Sequence, residues 1–364
     1  LLVSSYLFYG YAKFEYIFLL AGSTLVNYTL SIIMAKMSEK NRRRPYIWAG
    51  VIFNIGMLFL FKYFNLFSHT TTQMLESINI AADIPILTML LPVGISFYTF
   101  QSLGYLIDVY SGKVNAERHL GFFALFTSFW PQIMSGPINR GRLFFPQIRD
   151  THPFDYQKVT EGMRLILWGL VKKIVIADHL AVYVNRVHNH VDEYNGMPLV
   201  MAALFYTVQI YCDFSGYTDM ARGRARIVGY DLMENFRHPC FATSLKDFWQ
   251  RWHISLSTWF RDYLYIPLGG NRVTKWRWNY NIFITFVISG LWHGSNWTFV
   301  IWGALHGMIL IAEKVTEAWR GFITARFFNV RLEPVHHGVR VITTFCMVTF
   351  AWIFFRSDSV VSAF

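Results

Sequence analysis

An all-α polytopic membrane protein is the fold class this chain predicts, from three observations. The 364 residues are 54% hydrophobic and 18% aromatic but only 15% charged, against about 25% charged in soluble domains. Mean hydropathy is +0.31. Seven windows approach or exceed the roughly 20 residues that cross a hydrocarbon core: 15–35, 47–66, 86–107, 163–184, 198–214, 281–311 and 339–355. Gly, Pro, Asn or a lone Lys breaks most of them, so the helices are expected to pack around a polar interior. The chain reads as one membrane domain over 1–364. Its first residues, "LLVSSYLFYGYAKF", and its last, "FFRSDSVVSAF", look like the cut ends of a longer protein.

The formal charge is +11, yet its distribution does not suggest nucleic acid. Basic residues sit in short blocks between spans, "KMSEKNRRRP" at 36–45 and "RVTKWRW" at 272–278. Cytoplasmic loops with a positive-inside bias and some attraction to anionic lipid account for them. There is neither an aromatic-interleaved basic groove nor zinc-finger spacing. Cys212, Cys240 and Cys346 are odd in number and far apart, which fits neither a disulfide framework nor a cysteine metal site.

Between the spans, 67–85 and 111–119 read as polar interruptions. Residues 122–148 start apolar and then meet Pro131, Gly136, Pro137 and Gly141. Lipid would strand the amides of such a segment, so a re-entrant or interfacial element buried in protein is expected. In "SLKDFWQRWHISLSTWFRDYLYIPL", 244–268, Trp249, Trp252, Leu256, Trp259 and Tyr263 recur at three- and four-residue steps among charged neighbours. That pattern predicts one amphipathic helix, with Ser244 and Asp247 as a capping box and Pro267, Gly269 and Gly270 as its end.

The chemistry-bearing residues are imidazoles in apolar company. His293 lies in "SGLWHGSNW"; a buried imidazole must satisfy a donor and an acceptor, and ionisable groups inside a membrane are functional candidates by default. Its ordinary pKa suits a general base, although a core histidine bonded to a neighbouring helix is an equal reading of the residues alone. His253, in "WQRWHIS", reads first as an interface histidine among indoles. His306 stands thirteen residues after His293, roughly 220° around an unbroken helix, and reads as structural. There is no HExxH and no GxSxG elbow. Asp213, Asp219, Asp247, Arg251, Arg261 and Asp262 read as internal ion pairs or hydrogen-bond anchors, any of which can also help hold a polar substrate.

The stretch from "CDFSGYTDMARGRARIVGYDLMENFRHPCF" through "RWHISLSTWFRDYLYIPLGGNR" to "GLWHGSNWTFVIWGALHG" resembles the membrane-bound O-acyltransferase family. Within it the likeness is to the bacterial alginate and peptidoglycan O-acetyltransferases. "PVGISFYTFQSLGYLIDVY" at 92–110 and "FWPQIMSGPINR" at 129–140 extend the resemblance over nearly the whole chain. It implies a multi-helix fold around a central tunnel with re-entrant and interfacial helices. It also implies His293 of the WHG motif as the catalytic histidine and His253 as a second catalytic-site histidine. Asn296, Trp292, Trp252, Arg251, Asp247 and Ser255 flank this pair and are the expected substrate-binding residues.

The implied reaction moves an acetyl group from acetyl-CoA or another cytoplasmic acyl thioester to a hydroxyl of an exported or cell-envelope polysaccharide. A periplasmic or extracellular acetyltransferase partner, a bacterial cytoplasmic membrane location and no tightly bound cofactor or metal belong to the same expectation. The alternatives are D-alanyl transfer to teichoic acid and a non-enzymatic polysaccharide transporter or scaffold. "YLYIPLGGNR" favours the acetyltransferase branch. Arg222 and Arg224 depart from the small or apolar residues that follow the SGYxDMA pattern in relatives.

Overall fold

The computed structural model describes residues 1–80, 84–87, 91–327 and 333–363, and their regular structure is all helix, with no strand among them. The helices are α1 (Leu2–Ala12), α2 (Glu15–Ala35), α3 (Lys40–Leu58), α4 (Phe64–Ser77), α5 (Ile95–Tyr110), α6 (Leu120–Ser128), α7 (Gly141–Arg149) and α8 (Tyr156–Leu170). They continue with α9 (Asp178–Asn189), α10 (Met197–Ile227), α11 (Leu245–Arg251), α12 (Ile254–Phe260), α13 (Lys275–His293), α14 (Trp297–Val315), α15 (Glu317–Phe327) and α16 (Glu333–Arg356). Among the described residues, five helical stretches are long and apolar enough to cross a membrane: 15–35, 40–77, 197–227, 297–315 and 333–356. The chain is an all-α polytopic membrane protein.

Two compact units divide it, the first formed by 1–164 with 221–232 and the second by 165–220 with 233–364. In the first, α5 is buried along most of its length and packs with α2 and α3. The rings of Tyr105, Phe123, Phe126, Phe144 and Phe145 form its core. Asn27 and Asn54 join α2 to α3 by mutual side-chain bonds, because an amide left unpaired in an apolar interior costs more than one paired across helices. Residues 122–148 take the protein-buried form: α6, a buried bend through Phe129, Ile133 and Asn139, then α7. Arg224 lays its guanidinium over Trp130, 5.7 Å from the ring centre.

The second unit holds α13 and α14 as a tight hairpin. At Gly290 a Cβ would sit 2.2 Å from the Phe299 carbonyl oxygen, and at Gly303 2.2 Å from that of Phe286. Only hydrogen fits at these two positions, and the backbones therefore close on each other. Where α8 meets α10, Lys172 pairs with Asp219, and Lys173 bridges Asp213 and Asp178 at 2.7 and 2.8 Å. The two aspartates thus take separate partners, as their spacing required, and the lysines lie in a π-helical stretch, 171–177.

Several boundaries differ from the sequence expectation. The expected single helix over 244–268 is broken into α11 and α12, because Trp252 is extended and His253 takes a left-handed conformation, φ +43°. The expected window 281–311 folds back at Gly294–Asn296 into two helices. The polar interruption at 67–85 begins later, since helix persists to Ser77, and residues 81–83 of it lie outside the described residues. Helix α5 starts only at Ile95; residues 88–90 of the expected window 86–107 are likewise outside the described set. Lys40–Pro45 and Lys275–Trp278 belong to the first turns of α3 and α13 rather than to loops.

Candidate active site

The two breaks place the two histidines. His293 is the last residue of α13, and its ring packs edge-on to Trp302 at 5.0 Å, to Phe355 at 5.3 Å and to Trp292 at 5.0 Å. His253 sits in the gap between α11 and α12 and is fully buried. Its ring meets Phe214 edge-on at 4.7 Å, and its centre lies 6.4 Å from that of His293 and 6.1 Å from that of Trp292. Nδ1 of His253 is 3.1 Å from Oδ1 of Asn235, while Nε2 has no hydrogen-bond partner among the described residues. Burial in this aromatic shell pushes the His253 pKa down to about 3, so the ring is neutral.

Asn235 was not singled out by sequence reasoning. It is fully buried, and its Oδ1 also accepts from the backbone N–H of Ser255 at 3.1 Å and from the Ser255 hydroxyl at 2.9 Å. Its backbone carbonyl accepts from the N–H of Ile254, and the N–H of Arg237 donates to the carbonyl of Arg251. The segment 235–237 therefore pairs with the backbone on both sides of the break. A polar residue inside "ENFRHP" was the available signal, but only the fold shows that it faces His253.

The remaining expected residues have structural partners. Trp252 is buried and stacks on Phe248, 5.5 Å between ring centres. Arg251 pairs with Asp247 at 2.7 Å. Ser244 caps α11 by accepting from the N–H of Asp247, but the Asp247 carboxylate returns to Thr243, one residue before the expected capping-box partner. Although burial pulls the Asp247 pKa upward, the bonds from Arg251 and Thr243 hold it below the ordinary range. Asn296 is the N-cap of α14, accepting from the N–H of Thr298 and donating to the carbonyl of Asp358. His306 is fully buried, and its Nδ1 accepts from the indole N–H of Trp249 at 3.3 Å. The hairpin overturns the rotation expected of an unbroken helix: the rings of His293 and His306 both pack on Trp302, the latter at 4.8 Å.

A cavity of about 1250 Å³ runs along α13 from Trp278 to Ser289, one turn before His293. Ile254, beside His253, and Trp249 are among its walls. Lys246, Lys314, Arg320, His336 and Arg340 line it too, with Glu313 and Glu317. The Glu313 carboxylate is already engaged, accepting from the N–H groups of Leu245 and Lys246 at the start of α11. Bases thus outnumber acids among its charged walls, and it approaches the histidine pair at Ser289 and Ile254, with neither histidine forming part of its wall. No group of three or more His, Cys, Asp or Glu side chains among the described residues is placed to hold a metal ion.

Comparisons with known proteins give this arrangement its family. The profile of the membrane-bound O-acyltransferase family, MBOAT, matches residues 117–355. The chain belongs to that family. It is 39% identical over 362 residues to a "Probable alginate O-acetylase AlgI" of Pseudomonas syringae pv. tomato, covering 99% of this chain and 67% of the relative. A "Peptidoglycan O-acetyltransferase" of Helicobacter pylori is 33% identical over 389 residues, covering 100% of this chain and 71% of the relative. A "Teichoic acid D-alanyltransferase" of Bacillus subtilis is 29% identical over 237 residues, 62% of this chain and 60% of the relative. The chain spans about two thirds of the length of the acetyltransferase relatives. Family membership supports acyl transfer as the general activity.

Proposed function

We propose that this protein is an O-acetyltransferase of the bacterial cytoplasmic membrane that moves an acetyl group from a cytoplasmic thioester toward a hydroxyl of an envelope polysaccharide. The observation that carries the reading is the His253–His293 pair, with a large cavity whose charged walls hold more bases than acids reaching Ser289 and Ile254. Such a cavity suits acetyl-CoA, whose phosphates want cations and whose thioester must reach the buried rings. The acceptor hydroxyl is supplied by the glycan itself or by an extracytoplasmic partner protein that passes the group on.

In the proposed step, His293 removes the proton of the acceptor hydroxyl as its oxygen attacks the thioester carbonyl. A C–O bond forms, the C–S bond breaks, and the proton passes from His293 to the departing thiolate. A base acts within roughly 2.6–3.2 Å of its proton donor, so the acceptor hydroxyl must reach a ring nitrogen of His293, whose ring centre lies 6.4 Å from that of His253. His253 presents Nε2 as an acceptor for a second donor group on the substrates. Arg251, Asp247 and Ser255 act on the substrates indirectly, by holding α11 and α12 in place, while Trp292 and Trp252 wall the site against water.

D-alanyl transfer is the alternative within the family. The longer match to the acetyltransferases, 99–100% of the chain against 62%, favours acetyl. The deciding experiment uses the full chain in vesicles with partner and acceptor, following thiol release from acetyl-CoA and acetyl on the glycan for wild type and His293→Ala. Loss of both in the variant is expected. Wild-type transfer by His293→Ala, or transfer only from a D-alanyl carrier protein, refutes the reading.

A further inference from the structure

We infer that Asn235 is a positioning residue that fixes the tautomer of His253, with the proton on Nδ1 and a lone pair on Nε2 facing the reaction. The inference rests on the functional reading above for its consequence, but its geometric part stands alone.

A backbone N–H can only donate. The N–H of Ser255 points at the Asn235 side-chain atom 3.1 Å away, so that atom must be the amide oxygen, not the nitrogen. The same oxygen lies 3.1 Å from Nδ1 of His253, and two acceptors at that distance repel. Nδ1 must therefore carry the hydrogen, and a neutral imidazole then has a bare Nε2. The Asn235 amide nitrogen is turned toward the Thr218 hydroxyl, 3.5 Å away, which agrees with this orientation.

Asn235 also holds the unusual backbone. His253 is one of three non-glycine residues with positive φ among the described residues, a conformation that persists only when its surroundings over-determine it. The Asn235 carbonyl takes the N–H of Ile254, and its side chain takes that of Ser255. One residue thus grips the two amides that follow His253 and the ring itself. The neighbours of the ring are otherwise aromatic: Phe214, Phe236 and Trp292, with His293 the titratable group facing it. The nearest ion pair along α10 is Lys172–Asp219, one residue beyond Thr218.

The consequence divides the labour of the two histidines. With Nε2 bare, His253 cannot donate to a developing oxyanion; it serves only as a hydrogen-bond acceptor for a substrate N–H or O–H other than the attacking hydroxyl, whose one hydrogen goes to His293. The oxyanion donor must be found elsewhere.

The test uses the full chain in detergent, labelled with ¹⁵N-histidine, as wild type, Asn235→Leu and Asn235→Asp. The His253 resonance, assigned by its absence from His253→Gln, should report a protonated Nδ1 and bare Nε2 in wild type near neutral pH. Asn235→Leu should show the other tautomer or a mixture. Its acetyl transfer should fall about 100-fold, the lower range of general acid–base contributions, with little change in donor KM. A carboxylate accepts the same bonds and favours imidazolium, so Asn235→Asp should recover transfer with its acid limb moved to higher pH.

A protonated Nε2 in the wild type, or an unchanged spectrum in Asn235→Leu, overturns the tautomer assignment. An altered tautomer with unchanged transfer overturns the positioning role. If Asn235→Leu elutes aggregated, Asn235→Asp decides: wild-type spectrum and wild-type pH profile together refute the inference. Transfer surviving in His293→Ala refutes the functional reading separately and leaves the ¹⁵N result standing.

Discussion

Gly290→Ala is the substitution whose effect the structure specifies most closely. The new methyl would lie 2.2 Å from the carbonyl oxygen of Phe299 and 3.1 Å from both Cα and N of Gly303. Ordinary contact begins near 3.4 Å, so the shortfall is roughly 1 Å against backbone, which cannot rotate away as a side chain could. The α13–α14 hairpin must open by that amount. Overpacking of this kind costs about 1–3 kcal/mol.

The functional cost should be larger than the loss of stability suggests. His293 lies three residues beyond Gly290, and Trp302, against which it packs, immediately precedes Gly303. A reacting group displaced by about 1 Å can lose about 100-fold in rate. Thermal melting in detergent and acetyl transfer are the paired assays, with Gly22→Ala, which meets no atom within 4 Å, as the control. The expected result is a lowered melting temperature and transfer down about 100-fold in Gly290→Ala alone. Wild-type melting and rate in that variant would show that the helices are not closed on this glycine.

Three further outcomes follow from the same site. Trp249→Phe removes the N–H that His306 Nδ1 accepts and should destabilise the fold by about 1–3 kcal/mol, the cost of a buried unsatisfied acceptor; an unchanged melt would refute the bond. The double variant Lys246→Gln, Arg340→Gln should raise the KM for acetyl-CoA about tenfold with kcat nearly kept, because binding common to ground and transition states is lost; an unchanged KM would remove these cations from donor binding. His253 stays neutral in the folded protein down to about pH 3, whereas the unfolded chain protonates it near ~6.5. The unfolded state then binds more protons between these values, so this stabilisation is complete above about pH 6.5 and is lost as pH falls, by up to about 1.4 kcal/mol per unit. Melting midpoints of His253→Gln should therefore fall less steeply below pH 6.5 than those of wild type, and parallel slopes would contradict the burial.

Helix and membrane class were legible because composition and run length report the solvent directly. The breaks were not. Residues 244–268 keep a helical period through Trp252 and His253, and nothing local announces that His253 will adopt φ +43°. The His253 ring and the two amides after it bond to Asn235, 18 residues away, and an interaction at that range leaves no periodicity to read. His306 shows the same limit from the other side. Its rotation from His293 was sound for a continuous helix, but the turn at Gly294–Asn296 resets the geometry and brings both rings to Trp302. Ion pairs fared better: Asp213, Asp219 and Asp247 found basic partners because a charge in apolar surroundings has few other outcomes.

Breaking helices is also what makes the site possible, and the compensations can be followed atom by atom. Ending α11 and restarting as α12 exposes backbone groups that apolar surroundings will not hydrate. The carbonyl of Arg251 takes the N–H of Arg237, and the backbone and side chain of Asn235 take those of Ile254 and Ser255. The start of α11 is met by Ser244 and by Glu313, which reaches across from α14. The start of α14 is met by Asn296. Acceptors that look like catalytic polar residues in a one-dimensional reading are thus mostly occupied by backbone. Among the buried histidines with named hydrogen bonds, Nε2 of His253 and Nε2 of His306 both remain open; the first belongs to the ring 6.4 Å from His293, and it is there that an acceptor is left for a substrate in an otherwise apolar interior.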